Sequence, residues 1–310
     1  MNYYKTIEKR MGLPGLADQL ADLSGSDLNT LLMEVFRLQA GKEQPAALVS
    51  QLVTNRFTMP ATTDPMRLRE LEIQYLDSCK NAGFSLVQFG PLAPLGTCSS
   101  MAPVSQQTIL PALRNTEVVS DVTNLLALLI ARDVRANPDK NRVIQYATTQ
   151  RQVRVQAFDR PGFSAHFSII GMATGGWDQG NHDFEAEAFT HHVLTHYRML
   201  KTCFADGNFR INFYWRQAND KLRLKIMEAL SALADGATLD HQHEDRDYSY
   251  YPLAQFKMLV ERAGQVWELA DGGLVDWTQS IIPNRKHRLM ISGAGLDLIL
   301  HARSTNTTNE

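Results

Sequence analysis

The stretch RVIQYATTQRQVRVQAFDRPGFSAHFSIIG, residues 142–171, decides the fold. It reads as two strands joined by a turn. From Arg151 to Gln156 the residues alternate, so Val153 and Val155 take one side and Gln152, Arg154 and Gln156 the other. Asp159-Arg160-Pro161-Gly162 is the turn, with Pro presetting one dihedral and Gly accepting a positive one. Phe163, Ala165, Phe167 and Ile169 then alternate with Ser164, His166 and Ser168. The hairpin is expected to present Arg154, Gln156, His166 and Arg160. Such a set is either a grip for a phosphate and a flat base or an ordinary solvated face.

Upstream, residues 1–60 read as a helical extension. Ser26-Asp27 suits a helix start. Leu28, Leu31, Leu32, Val35 and Phe36 form one apolar stripe, and Gly41 is the stop. Pro45 opens another helix with Leu48, Val49, Leu52 and Val53 as its buried face. A composition shift at 60–65 marks a boundary. Beyond it come an amphipathic helix over Met66–Asn81 and a strand over Phe84–Phe89 ending at Gly90-Pro91. A loop rich in Ser, Pro and Gly follows over 92–110, then a helix from about Asp121 to Ala136.

Downstream, Gly175-Gly176-Trp177 reads as the start of a loop. Helices are expected over 184–200, 217–233 and 252–263, and strands over 209–214, 266–270 and 288–292. A charged loop is expected over 236–250, and a short helix after Asp297. Turns separate the strands as often as helices do. That mixture predicts an α+β fold, a mixed and mainly antiparallel sheet flanked by helices, in preference to a doubly wound one.

The totals narrow the function classes. The chain has 310 residues and a net charge of −2, so no global field draws it to nucleic acid or membrane. It is 44% hydrophobic and 21% charged, as ordinary soluble proteins are. Cys79, Cys98 and Cys203 are too scattered for a disulfide framework or a CxxC site. The N-terminus lacks an apolar signal core and no run is long enough to span a membrane, so a cytoplasmic location is expected.

Three elements fall in a telling order. They are the helix and strand ending at Gly90-Pro91, the hairpin with Arg154-Val155-Gln156 and Phe167, and the late strand through Gly293-Ala294-Gly295-Leu296-Asp297 into a helix. That order resembles motifs 1, 2 and 3 of the class II aminoacyl-tRNA synthetase catalytic domain (the biotin synthetase-like fold). Within that class the resemblance is to histidyl-tRNA synthetase and its paralogue, the regulatory subunit of ATP phosphoribosyltransferase. Leu113-Arg114-Asn115-Thr116-Glu117 with Thr123 is similar to the family's substrate loop. Gly272-Gly273-Leu274-Val275-Asp276 is similar to its Gly-Gly-Arg-Tyr-Asp stretch. The resemblance covers residues 65–303, leaving 1–60 as the extension and 304–310 as a polar tail.

The resemblance implies roles. Arg154 would hold the α-phosphate of ATP, as a planar guanidinium can with two parallel hydrogen bonds. Gln156 replaces the family's adenine-contacting glutamate, and Arg160 would reach distal phosphates. Phe167 is either the adenine stack or a sheet-core ring. Glu117 is either the partner of an amino acid's ammonium group or a surface acid. Arg114, Thr116, Gly272 and Gly273 complete the implied amino-acid site. ATP with Mg is the cofactor implied, and a homodimer is implied through the motif 1 helix and strand.

Departures from the pattern redirect the function. The motif 3 arginine that grips the γ-phosphate is Leu298 here, and losing one preorganised donor to transition-state charge typically costs about 10²–10³ in rate. Arg303 stands too far along the helix to replace it. The arginine of the Gly-Gly-Arg-Tyr-Asp stretch is Leu274. After motif 3 no room remains for an anticodon-binding domain, so tRNA is not an expected partner. The expected function is a non-charging paralogue that binds an amino acid or similar small carboxylate, with or without a nucleotide, in a regulatory or small-molecule role. It would have small-molecule and protein partners and no membrane contact. The alternative is an active ATP-dependent ligase that adenylates a carboxylate for a non-tRNA acceptor.

Other patterns are weaker. His192 and His196 are four apart on one helix beside His191, but no HExxH glutamate stands between them, and no metal site is expected. Gly293-x-Gly295 lacks the third glycine and the βαβ unit of a dinucleotide site.

Overall fold

A computed structural model describes residues 3–156, 162–216, 220–233, 235–243 and 250–305. Eleven α-helices and eleven strands are present among them. In chain order they are α1 Tyr3–Met11, α2 Leu16–Ala21, α3 Gly25–Ala40, α4 Pro45–Thr54, α5 Pro65–Asn81, β1 Ser85–Leu86, β2 Leu92–Pro94 and α6 Thr97–Met101. There follow β3 Pro111–Ala112, β4 Thr116–Val118, α7 Val122–Ala136, β5 Ile144–Val153, β6 His166–Trp177 and α8 Asp183–Cys203. The last are β7 Asn208–Trp215, α9 Asp220–Ala229, β8 Ala237–His243, β9 Ala254–Arg262, β10 Gln265–Val275, α10 Trp277–Ile281, β11 His287–Gly295 and α11 Leu296–Ser304.

Eight strands form one sheet in the order β1-β5-β6-β11-β10-β9-β7-β8. Only the outermost pairs, β1–β5 and β7–β8, are parallel. Alternation gives the sheet two faces. Against one pack α5, α8, α9 and α11, burying Tyr75, Phe189, Ile226 and Ile299 on strand residues such as Ile170, Met172, Phe213 and Phe256. Against the other packs α7, through Leu126, Ile130 and Val134, with Ala173, Ile291 and Trp277. A second sheet, β2-β4-β3, stands beside α7.

The mainly antiparallel sheet flanked by helices agrees with the expectation, and several segments differ from it. Residues 254–262 form a strand, not part of a helix over 252–263: Ala254, Phe256, Met258 and Val260 are buried at a period of two. The charged stretch from 237 to 243 is an edge strand paired to β7, and residues 244–249 lie outside those described. β6 runs through Gly175 and Gly176 to Trp177 where a loop was expected. The strand expected over 84–89 shrinks to two residues. The segment 92–110 contains β2, α6 and a 3-10 turn over Gln106–Thr108.

The N-terminal helices form as expected, but with the cap at Ser24, whose hydroxyl accepts from Asp27 N. Their apolar stripes are not buried. No residue of α3 or α4 is buried, and Phe36, Val49 and Val53 are more than half exposed. None of α1–α4 packs substantially on another element, so these stripes have no apolar surface to meet.

Two glycines let the α7 side of the sheet be approached closely. A Cβ on Gly171 of β6 would lie 2.6 Å from Val122 Cγ1, so only glycine lets the first turn of α7 settle on the sheet. A Cβ on Gly273 of β10 would lie 2.4 Å from Ala254 O and 2.5 Å from Tyr251 Cδ1. Each contact fixes a wall of the hollow described next.

Candidate functional site

Where α7 begins, the sheet is left uncovered and a cavity of about 470 Å³ opens above β6, β11, β10 and β9. That is within the range of about 300–1,000 Å³ typical of small-ligand sites. Its floor is Ile169, Gly293, Asp271, Gln255 and Lys257. Asp121, Thr123 and Ser120 come from the start of α7, Arg154 to Gln156 from the end of β5, Tyr250 and Tyr251 from the segment before β9, and Cys98 and Thr108 from the long connection.

Arg154 hydrogen-bonds through its backbone N–H to Ala165 O at 2.8 Å, continuing the β5–β6 ladder by one residue. Its guanidinium lies 5.2 Å from the centroid of the Phe167 ring. Gln152 pairs directly with Phe167, and residues paired across an antiparallel ladder share a face. Two steps along the strand, Arg154 is therefore on the Phe167 side. This corrects the expectation for His166. That residue pairs with Val153 and faces away from the cavity, where Arg151 donates from Nε to His166 Nδ1 at 3.0 Å. Gln156 lines the cavity and is exposed. Arg160 lies outside the described residues.

The sequence-predicted amino-acid residues are split. Glu117 is buried and does not line the cavity. Its carboxylate accepts from Gly96 N at 2.7 Å, Cys98 N at 3.1 Å and Gln106 Nε2 at 2.9 Å, pinning the start of α6. Arg114 is exposed in the β3–β4 turn, with φ 63°, and its N–H donates to Asn29 Oδ1 of α3. Thr116 donates to Leu113 O. Gly273 backs the Tyr251 wall, whereas a Cβ on Gly272 would point to Ser292 and Phe256 on the other face. Leu298 lies against Gly162 and does not line the cavity. Arg303 lines a separate groove beside Arg67 and His301.

The carboxylates that do reach the hollow are Asp121 and Asp271. Asp121 caps α7, its Oδ1 accepting from Thr123 N at 2.9 Å, while its Oδ2 accepts from Tyr250 OH at 2.6 Å. Asp271 accepts from Tyr251 OH at 3.4 Å. Burial, with Glu268 and Asp121 near, pushes the Asp271 carboxyl up to about 6 although Arg154 pulls it down. Burial pushes the Cys98 thiol to about 11 and both tyrosines well above their ordinary range. All three are neutral at physiological pH. Asp271 was legible only as the neighbour of Gly272-Gly273. Reading 254–262 as a strand would also have put Gln255 and Lys257 on one face.

On the opposite face His192 and His196 are fully buried and share one hydroxyl. Ser292 Oγ lies 2.7 Å from His192 Nδ1 and 3.0 Å from His196 Nε2, while Thr174 Oγ1 and Tyr75 OH engage the outer ring nitrogens. The described residues hold no cluster of three or more metal-ligating side chains.

The sheet order, the hairpin bearing Arg154 and the final strand running into α11 define the class: the chain has the fold of the class II aminoacyl-tRNA synthetase catalytic domain. Among similar solved structures is an ATP phosphoribosyltransferase regulatory subunit/histidyl-tRNA synthetase from Bacillus halodurans, at TM-score 0.60 and 15% identity, covering 79% of this chain and 82% of that one. The S. aureus histidyl-tRNA synthetase aligns at TM-score 0.59 and 11% identity, over 79% and 69%. A histidine–tRNA ligase subunit from Alicyclobacillus acidocaldarius aligns at 0.57 and 15%, over 79% and 96%. No protein-family profile matches the sequence, and no curated protein matches it.

Proposed function

We propose that this protein binds an amino acid or similar small carboxylate in the cavity and does so without charging tRNA. One observation carries the reading. The Arg154 guanidinium, stacked on Phe167, makes no side-chain hydrogen bond or ion pair to any other described residue and opens into the hollow. A half-buried, planar cation of this kind is suited to a carboxylate or phosphate. Asp121 and Asp271 offer the complementary acids for an ammonium group.

The site also suits part of a nucleotide. Arg154 fits an α-phosphate and Gln156 a base edge, whereas the Phe167 ring, covered by the Arg154 guanidinium, is not among the residues lining the cavity. Among the described residues no cation stands where the motif 3 arginine would grip a terminal phosphate. ATP with Mg, if bound, would supply an activated adenylyl group with pyrophosphate as the leaving group, and this chain's own part would be to hold its α-phosphate and base. A regulatory role is favoured over ligation. One similar structure is described as a regulatory subunit, and a protein partner is proposed here on that likeness. A homodimer through α5 is supported by Met66 and Ile73, 69% and 60% exposed on that helix. A cytoplasmic location goes with the proposal. No described helix is long and apolar enough to cross a membrane.

Thermal-shift titration of the full chain with amino acids and nucleotides tests the reading, because a ligand bound only by the native form raises Tm by mass action. The expected result is a shift with at least one amino acid that disappears in Arg154→Ala. Pyrophosphate exchange dependent on Arg154 would instead establish the ligase. No shift with any amino acid or nucleotide overturns the binding function.

A further inference from the structure

The charges of the described residues lining the cavity do not cancel. Lys257 stands opposite Asp271 on β9, but its ammonium is paired with Glu268 at 3.1 Å, so those two neutralise each other. Tyr250, Tyr251 and Cys98 are neutral, and no histidine lines the cavity. Among the described residues that line the cavity, what remains is two carboxylates, Asp121 and Asp271, against one guanidinium, Arg154. Among the described residues, the hydrogen-bond donors to these two acids are neutral: the phenol hydroxyls of Tyr250 and Tyr251, and the Thr123 N–H and hydroxyl.

A ligand complementary to this set carries two cationic centres and one anionic centre. A neutral amino acid brings one of each and leaves one acid uncompensated in a partly desolvated hollow, which is costly. An acidic amino acid is worse by a further charge. Resting on the proposed function, we infer that the cavity selects a basic amino acid, with its carboxylate on Arg154 and its two cationic groups shared between Asp121 and Asp271.

The environment of Asp271 fits this role. Glu268 on its own strand and Asp121 on α7 disfavour its charge, Arg154 and Lys257 favour it, and burial is the largest influence. A ligand cation beside Asp271 favours the ionised form. Binding therefore releases a proton in mildly acidic solution and tightens as pH rises through about 6.

The test is calorimetric titration of the full chain with lysine, ornithine and arginine against norleucine, glutamine and glutamate. The expected result is at least about tenfold tighter binding of the basic set than of the neutral set, of the size that charge complementarity gives. Asp271→Asn should shrink that ratio about fivefold or more, with Tm confirming that the variant folds. Asp121→Asn, which keeps an N-capping side chain, should do the same. Basic and neutral amino acids binding equally, or a ratio unmoved in both variants, overturns this selectivity and leaves the amino-acid site standing. Binding of none of the six overturns both.

Discussion

The guanidinium carbon of Arg154 lies 5.2 Å from the centroid of the Phe167 ring. The ring holds the cation at the cavity wall without consuming its donors, since a cation over an aromatic face gains about 0.5–1 kcal/mol at partly exposed sites and forms no hydrogen bond there. The five N–H groups stay available for an anion. Because no side-chain hydrogen bond among the described residues depends on Arg154, Arg154→Ala should weaken binding of an anionic ligand by about tenfold or more, as loss of a charge-assisted bond does. The melting temperature should stay within a few degrees. Arg154→Lys, which keeps the charge and loses the planar fork, should recover only part of the affinity. Titration alongside calorimetry measures both quantities. A large fall in Tm for Arg154→Ala would mean that the side chain is structural.

Stability should fall on acidification. Burial holds His196 at about 3 and His287 at about 4, and drives His192 well below the ordinary value of 6.5. For each, the folded value is lower than the unfolded one. Their contribution is therefore complete above about 6.5 and lost as pH falls toward 4 and 3. Asp271 acts in the opposite sense. Its folded value is raised to about 6, so its contribution is present below about 4 and lost as pH climbs through 6. Three groups outweigh one, and Tm should drop steadily from neutral pH to about 4.5. His196→Gln should make that drop shallower, although it also breaks the Ser292 network and lowers Tm at neutral pH. A flat profile would mean that these rings are hydrated in solution.

Asp271 is a liability in the empty protein. A rise of about two pKa units corresponds to at most about 3 kcal/mol at neutral pH. Asp271→Asn should therefore raise the Tm of the unliganded chain at neutral pH, and the gain should vanish near pH 4. Differential scanning calorimetry at the two pH values checks this. A destabilised variant would show that Tyr251 and the cavity floor depend on the carboxylate.

Gly273→Ala should cost about 1–3 kcal/mol, the usual penalty of forcing a methylene into a packed site. The added methyl would meet Ala254 O at 2.4 Å and the Tyr251 ring at 2.5 Å. Tyr251 must then move, so ligand affinity should fall together with stability. Denaturant unfolding and ligand titration on the same variant separate the two losses.

Removing the first 54 residues should leave the rest of the chain folded, because none of α1–α4 packs substantially on another element. Tm should change by only a few degrees. Near-ultraviolet dichroism of the shortened chain would check that its aromatic core is retained. Collapse of that signal would show that the contacts of Asn29 with Asn115 and Arg114 matter more than their number suggests.

How far the sequence foretold this can be read residue by residue. The β5–β6 hairpin, α5 and α7 were legible because each sustains one period over ten residues or more. β9 was misread because two periods coexist there. Leu253, Phe256 and Val260 satisfy helical spacing, while Ala254, Phe256, Met258 and Val260 satisfy the strand, and sheet pairing on both sides settled it. β8 carries few apolar residues because an edge strand has only one neighbour to satisfy. The strands of the small sheet are too short to show any period. Alternation placed Arg154 on one strand face with Gln156, and the resemblance implied its role. Asp271 was not legible, because its meeting with Tyr251, Asp121 and Arg154 exists only in three dimensions. Glu117 was named for its place in a motif, yet its oxygens are spent on two backbone N–H groups and the Gln106 amide of a segment that no local pattern links to it.

Gly171 and Gly273 set a limit on how this hollow can change. At these two positions there is no room for a methyl group, so neither can carry a side chain without lifting α7 or displacing Tyr251 or the Ala254 backbone. Diversification of ligand choice, natural or engineered, falls to the side chains that already face the hollow. Positions such as 108 and 156 are where a new preference can be written at little structural risk.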